Sequence, residues 1–218
     1  MAVHYSSKKT THRTPLELVD SIERHFGAIA LDPCAYRPIE RQTVRARVAW
    51  CSGGLRRPWD VEGLIYVNPP YGKPIMRWVL HALEQRDLGR EILLLVPGRV
   101  DTVWFNALLE AESGVLSGEQ VLAAMMGHES HQLRRRHGVP WCAVRGRLKF
   151  HRERDSAPFP SALVYLGSRV DVFRAFAAEW GRCYLELRAP TSENAARALP
   201  SAARARQARA QPNPSALG

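Results

Sequence analysis

The chain has 218 residues, 45% of them hydrophobic and 24% charged, which is the composition of a soluble globular protein and the length of one sizeable domain rather than two. Its apolar runs, such as Ile92–Val96 and Val121–Met126, fall far short of the roughly 18 residues a membrane span requires, and Met1-Ala2-Val3-His4-Tyr5 leads into polar sequence with no visible signal peptide, so an intracellular, cytoplasmic protein is expected. A formal net charge of +10 favours polyanionic partners, DNA or RNA, although part of such charge can serve solubility alone.

Residues 1–13 are polar and basic and are expected to form a mobile arm. The first element begins at Thr14-Pro15-Leu16-Glu17. Thr14 suits an N-cap, Pro15 the first helical position, and Glu17 the acidic member of a capping box. Leu18, Ile22 and Phe26 recur at helical spacing and Gly27 is a natural stop. Ala28–Asp32 reads as a short buried parallel strand closed by Asp32-Pro33. Residues 36–60 are arginine-rich and irregular, punctuated by Gly53-Gly54 and Pro58. Leu64–Val67 is a second buried strand running directly into Asn68-Pro69-Pro70-Tyr71-Gly72. Ile75, Trp78, Val79 and Leu83 then make a helical face up to about Leu88-Gly89.

Glu91–Val96 is a third strand ending at Pro97, and Asp101 suits the N-cap of a helix carrying Val103, Trp104, Leu108 and Leu109. Residues 112–140 hold a short helix (Val121, Leu122, Met125) and then a polar, basic stretch. Trp141–Val144, Leu148–Phe150 and Ser161–Leu166 are predicted strands. A helix on Val172, Phe173, Phe176 and Trp180 and a last strand, Cys183–Leu187, complete the domain. From Ala189 the sequence is Ala, Pro, Ser and Arg without hydrophobic period, so residues 189–218 are expected to be a disordered basic tail. Strands alternating with helices imply an α/β protein with a parallel-rich central sheet, flanking helices, and ligands at the carboxyl ends of the strands. Asp32, Asn68 and Pro97 fall at three such ends.

Asn68-Pro69-Pro70-Tyr71 carries the most chemistry. The exocyclic nitrogen of adenine is a poor nucleophile because its lone pair is delocalised into the ring. An enzyme that accepts both amino hydrogens in tetrahedral geometry frees that lone pair for an electrophile. Asn68 offers a side-chain carbonyl and Pro69 a backbone carbonyl, while the two prolines remove N–H donors and stiffen the loop. Tyr71 offers a flat face on which a base can stack, and a base within a duplex would first have to be flipped out. A proline turn with Tyr71 merely packed is the plainer alternative for such a segment.

The chain resembles the phage and prophage family of DNA adenine methyltransferases, and more distantly other amino-methyltransferases that share Asn-Pro-Pro-Tyr. The matching segments, in order, are His4-Tyr5-Ser6-Ser7-Lys8, Thr14-Pro15, Leu31-Asp32-Pro33-Cys34-Ala35 and Val67-Asn68-Pro69-Pro70-Tyr71. They continue with Leu94-Leu95-Val96-Pro97-Gly98-Arg99, Asp101-Thr102, Trp104-Phe105, Gly146-Arg147-Leu148-Lys149-Phe150 and Ala157-Pro158-Phe159-Pro160-Ser161-Ala162-Leu163. The resemblance implies a Rossmann-like methyltransferase fold over residues 14–188 that uses S-adenosylmethionine and double-stranded DNA. It places the cofactor near Asp32, Pro33, Cys34 and Ala35, with Thr14 and Pro15 beside its methionine portion, and assigns catalysis to Asn68, Pro69, Pro70 and Tyr71. There are departures. No glycine-rich turn follows Ala35, where the sequence continues Tyr36-Arg37-Pro38, and Gly53-Gly54-Leu55 stands where family members often carry an acidic residue before Gly-Leu. The 112–140 connection is also longer than usual.

Arg134, Arg135 and Arg136 in that connection, with Arg147 and Lys149, are candidate DNA phosphate contacts, equally readable as solvated charge. His128, His131 and His137 lack a carboxylate or cysteine framework, so no metal is expected. The four cysteines, Cys34, Cys51, Cys142 and Cys183, are scattered without a C-x-x-C pair, as suits a reducing compartment. Two other functions remain open: an amino-methyltransferase acting on RNA or protein, and a DNA-binding scaffold that has lost catalysis.

Overall fold

The computed structural model describes residues 11–110 and 139–184. Its elements, in chain order, are α1 (Leu16–Phe26), β1 (Leu31–Asp32), β2 (Val48–Ala49), β3 (Leu64–Val67), α2 (Ile75–Asp87) and β4 (Glu91–Pro97). Then come α3 (Val103–Glu110), β5 (Trp141–Val144), β6 (Ser161–Leu166), α4 (Val170–Trp180) and β7 (Gly181–Tyr184). Short 3-10 turns occupy Ile39–Arg41 and Gly54–Arg56. The expected helix within 112–140 and the tail from 189 lie outside the described residues. Among the described residues no helix is long and apolar enough to cross a membrane.

The strands form one seven-stranded sheet in the order β2-β1-β3-β4-β6-β5-β7. From β2 to β4 every neighbour is parallel. From β4 to β7 every neighbour is antiparallel. The parallel-rich sheet expected from sequence is thus found only on one side of β4. Burial does not separate the two kinds of pairing: β3 in the parallel half and β6 in the antiparallel half are both buried along their whole length, and β6 is apolar beyond its first residue, Ser161. Sequence periodicity therefore does not carry the strand direction. The longest parallel register, Leu64↔Glu91 to Val67↔Leu94, puts the carboxyl ends of β3 and β4 at the same sheet edge. Leu31↔Ile65 does the same for β1 and β3.

Several boundaries differ from expectation. Leu148–Phe150 alternates correctly for a strand, with Leu148 and Phe150 buried and Arg147 and Lys149 exposed, yet it joins no ladder. Its carbonyls pair inside the 145–160 loop instead, Leu148 accepting the Ala157 amide and Phe150 the Glu153 amide. The last strand is Gly181–Tyr184 rather than Cys183–Leu187. A Cβ at Gly181 would lie 2.0 Å from the Ala143 carbonyl oxygen, so glycine is what lets this edge strand close on β5. Val48–Ala49, in the stretch read as irregular, pairs with Leu31–Asp32 as the other edge.

Helix α1 buries Leu18, Val19, Ser21, Ile22 and Phe26 against α4 and the sheet. The Ser21 hydroxyl donates to Glu179 at 2.7 Å and accepts the Trp180 indole N–H at 3.0 Å. Gly27 ends the helix at φ 85°, as its sequence position suggested. The capping box does not form. Pro15 stands at the N-cap position with no side-chain cap, because the Thr14 hydroxyl is turned inward to Tyr66 at 3.0 Å. Asp101 likewise does not cap α3; its carboxylate pairs with Arg99 at 3.2 Å.

Candidate functional site

Three loops leave the carboxyl ends of β1, β2 and β3 and surround a cavity of about 390 Å3, within the roughly 300–1,000 Å3 range of small-molecule sites. Asp32, Pro33, Cys34 and Ala35 line it from β1, Trp50 to Gly54 from β2, and Asn68 and Pro70 from β3. The fourth wall is the extended segment Thr11–Thr14 that precedes α1. Of the residues expected at a cofactor, only Pro15 is absent from the lining. Among the Asn-Pro-Pro-Tyr residues, Pro69 and Tyr71 are buried and face away from the cavity.

Asp32 is buried and accepts the Cys34 amide at 3.0 Å, an Asx turn that shapes the loop before and after Pro33. Burial pushes its carboxyl up from 3.8 to about 7, opposed by the Cys34 hydrogen bond. Burial and the neighbouring Asp32 charge likewise push the Cys34 thiol well up, while the Asn68 backbone amide donates to its sulfur. A cation entering the cavity would relieve the buried carboxylate. Across the lining, Nη1 of Arg13 is buried without a hydrogen-bond partner among the described residues. Its guanidinium sits 4.5 Å over the Tyr36 ring. One acidic and one basic side chain, neither neutralised by the other, therefore face a single cavity, and a zwitterion fits that donor set.

The β2 loop supplies the glycines that the β1 turn lacks. Gly53 adopts φ 77°, and a Cβ at Gly54 would lie 2.0 Å from the Pro33 carbonyl oxygen and 2.8 Å from the Trp78 ring. The Gly54 carbonyl accepts the Trp59 indole N–H at 2.9 Å, and Gln85 accepts the Trp59 amide at 2.7 Å, tying the loop to α2. No periodicity in 36–60 reveals this; the adjacent glycines were the available signal.

Asn68 is the junction of the site. Its amide donates to the His12 carbonyl at 2.7 Å and to the Thr14 hydroxyl at 3.2 Å, which fixes which way the side chain faces. Its carbonyl accepts the Tyr71 hydroxyl at 3.1 Å. Burial holds the Tyr71 hydroxyl well above its ordinary range, so it remains a neutral donor. The Tyr71 ring, 6% exposed, lies 5.3 Å from His12, 5.3 Å edge-on from Phe159 and 6.4 Å edge-on from Phe150. It is not the open platform expected from sequence.

The sequence also underestimated residues 11–13. Where this part of the arm is described it is tied down: the Arg13 carbonyl accepts the His151 amide at 2.9 Å, and the His12 side chain is only 5% exposed. Arg147 and Lys149 are exposed on the 145–160 loop, whose buried Phe150 reaches His12. Arg134, Arg135 and Arg136 lie outside the described residues, as do His128, His131 and His137. Among the described residues no group of three or more His, Cys, Asp or Glu side chains is gathered as a metal ion would require.

The family model described as DNA N-6-adenine-methyltransferase (Dam) matches residues 4–150. A curated relative, the DNA N-6-adenine-methyltransferase of Escherichia phage T1, is 29% identical over 93 residues, which cover 43% of this chain and 38% of that protein. The match thus spans well under half of the relative's length. No solved structure matches the chain.

Proposed function

The chain belongs to the DNA N-6-adenine-methyltransferase family, and from that premise we propose that it transfers a methyl group from S-adenosylmethionine to the 6-amino group of an adenine flipped out of double-stranded DNA. The observation that carries this reading is the position of Asn68. It stands at the carboxyl end of β3 between the cavity and the Tyr71 ring, with acceptor-rich Pro69-Pro70 beside it.

The cavity and its unmatched charges suit the amino-acid end of the methyl donor. Asp32 would face its ammonium group and Arg13 its carboxylate, with Thr14, Pro33, Cys34 and Ala35 around them and the Trp50–Gly54 loop opposite. When bound, the donor supplies an electrophilic methyl group. The chain's own residues position the nucleophile. The Asn68 and Pro69 carbonyls accept the two amino hydrogens and draw the nitrogen towards tetrahedral geometry. The Asn68 oxygen can accept one of them while keeping the Tyr71 hydroxyl, since a carbonyl carries two lone pairs. Preorganised acceptors and alignment supply the catalysis, without a covalent enzyme intermediate or a metal ion. The sheet from β2 to β4 would serve as the parallel part of a Rossmann-like methyltransferase fold. Exposed Arg147 and Lys149 would meet DNA phosphates, which position the duplex without reading its sequence. The resemblance to a phage protein supports a phage or prophage origin and a place of action in the bacterial cytoplasm.

The test is incubation with labelled S-adenosylmethionine and unmethylated duplex DNA, followed by digestion to nucleosides. Label in 6-methyladenine is the expected result. Label in RNA or protein alone would redirect the reading to another amino substrate. DNA binding without any binding of the donor would leave a DNA-binding scaffold that has lost catalysis.

A further inference from the structure

The ring of His12 is the most central member of the aromatic group beside Asn68. It stacks on Phe150 with centroids 4.6 Å apart and planes at 27°, lies 5.3 Å from Tyr71, and meets Phe159 edge-on at 5.7 Å. Those three rings are fixed by their surroundings: Tyr71 by a proline-stiffened loop, Phe150 by near-complete burial, and Phe159 by packing on the core. His12 is set apart by its place in the chain rather than by exposure. It belongs to an extended segment outside any helix or strand, held by the Asn68 bond to its own carbonyl, the His151 bond to the next and, at the ring, the approach of Nδ1 to Glu153 at 3.7 Å. It is also the only heteroaromatic of the four, a flat ring with nitrogens in its plane, which is a purine in miniature.

We infer that Tyr71, Phe150 and Phe159 wall the seat of the target adenine, and that the His12 ring fills this seat in the free protein and is displaced when the base enters. The inference rests on the reading of the protein as an adenine methyltransferase. Three rings at stacking and edge-on distances, next to the carbonyls proposed to accept the amino hydrogens, are what a sequence-tolerant base slot is made of. A slot of this kind left empty would expose apolar faces or hold poorly bonded water; an imidazole fills it reversibly. The Asn68 amide bond to the His12 carbonyl then has a second use. It places the occupant's backbone on the side of Asn68 away from Tyr71, so the ring can leave while the catalytic side chain stays bonded through Thr14.

The experiment compares wild type, His12→Ala and Phe159→Leu in steady-state methylation of unmethylated duplex DNA, and follows the His12 ring by NMR with labelled histidine. If part of the binding energy of the base is spent on displacing the ring, His12→Ala should lower KM for DNA roughly threefold or more without lowering kcat. Phe159→Leu, which removes a wall, should reduce kcat/KM roughly tenfold while DNA binding persists. The His12 signal, shifted in the free protein by the Phe150 ring current, should move towards an exposed value on adding duplex DNA. A fall in kcat/KM for His12→Ala would make His12 part of the wall and overturn the inference, as would a His12 signal unmoved by bound DNA. Absence of methylation by the wild type is a separate outcome, because it strikes the underlying activity whatever the histidine signal does.

Discussion

On the β1 side of Asn68 the chain leaves a cavity of about 390 Å3, whereas on the Tyr71 side rings meet at centroid distances of 4.6–6.4 Å. The open side has a lining of mixed polarity and carries unmatched charge, Asp32 and Arg13. The closed side is aromatic, and its hydroxyls and amides bond to one another. The contrast teaches that the two halves of the proposed reaction centre are stored differently. On the open side burial leaves Asp32 and Arg13 without charge partners, a cost that a bound zwitterion would offset. On the closed side the proposed base slot is filled by the His12 ring.

The comparison is broken most severely at the junction. Asn68→Ala removes the proposed acceptor and the bonds to His12 and Thr14. Loss of methylation by roughly a hundredfold or more is expected, as for removal of a preorganised acceptor, with the far-ultraviolet circular dichroism unchanged. Wild-type turnover would remove Asn68 from the mechanism. Next comes the open side. Gly54→Val places atoms where a Cβ alone already meets the Pro33 carbonyl at 2.0 Å, so donor binding by calorimetry should fall at least roughly tenfold and stability should drop by about 1–3 kcal/mol. Gly53→Ala, with no such backbone contact, is the milder comparison.

The charge on the open side gives a pH test. Between the ordinary 3.8 and about 7 the folded chain keeps a proton on Asp32 that the unfolded chain has released. Its contribution to stability is therefore full at low pH and lost as pH rises through about 7. Chemical denaturation of Asp32→Asn should show a shallower decline over that window. Donor binding below pH 7 should release a proton as its ammonium stabilises the carboxylate. Proton release equal to that of Asp32→Asn would exclude Asp32 as the partner. The smallest effect is at Thr14. Thr14→Val keeps the shape but loses the hydroxyl shared by Tyr66 and Asn68, which costs about 1 kcal/mol or more, read by thermal melting.

The sequence made one part of the site plain and hid the other for physical reasons. Asp32 and Asn68 were legible because each follows a buried apolar run, and parallel pairing brings such strand ends together. Thr14 was expected both as a helix cap, which does not form, and by resemblance as a cofactor neighbour, where it lines the cavity; only the fold shows Tyr66 beneath it. His12, Arg13, Trp50 and Gly54 carry no periodic signal, because extended segments and loops take their places from distant contacts rather than from neighbours. Strand direction was beyond reach for a similar reason. β6 is as buried as β3, and only pairing tells one orientation from the other.

That reversal has a consequence for how such a protein can change. Because β6 runs against both β4 and β5, the chain leaving Val144 and the chain entering Ser161 meet at the same sheet edge as Asn68. Residues 145–160 are thus a hairpin-like excursion, anchored at both ends by a fixed ladder and carrying Arg147, Lys149, Phe150 and Phe159 together. Length and composition there can drift at small entropic cost without moving a single strand register. Replacing that one contiguous stretch of the gene would therefore alter the proposed phosphate contacts and the aromatic wall together, leaving the strands and the cavity lining from β1 to β3 in place.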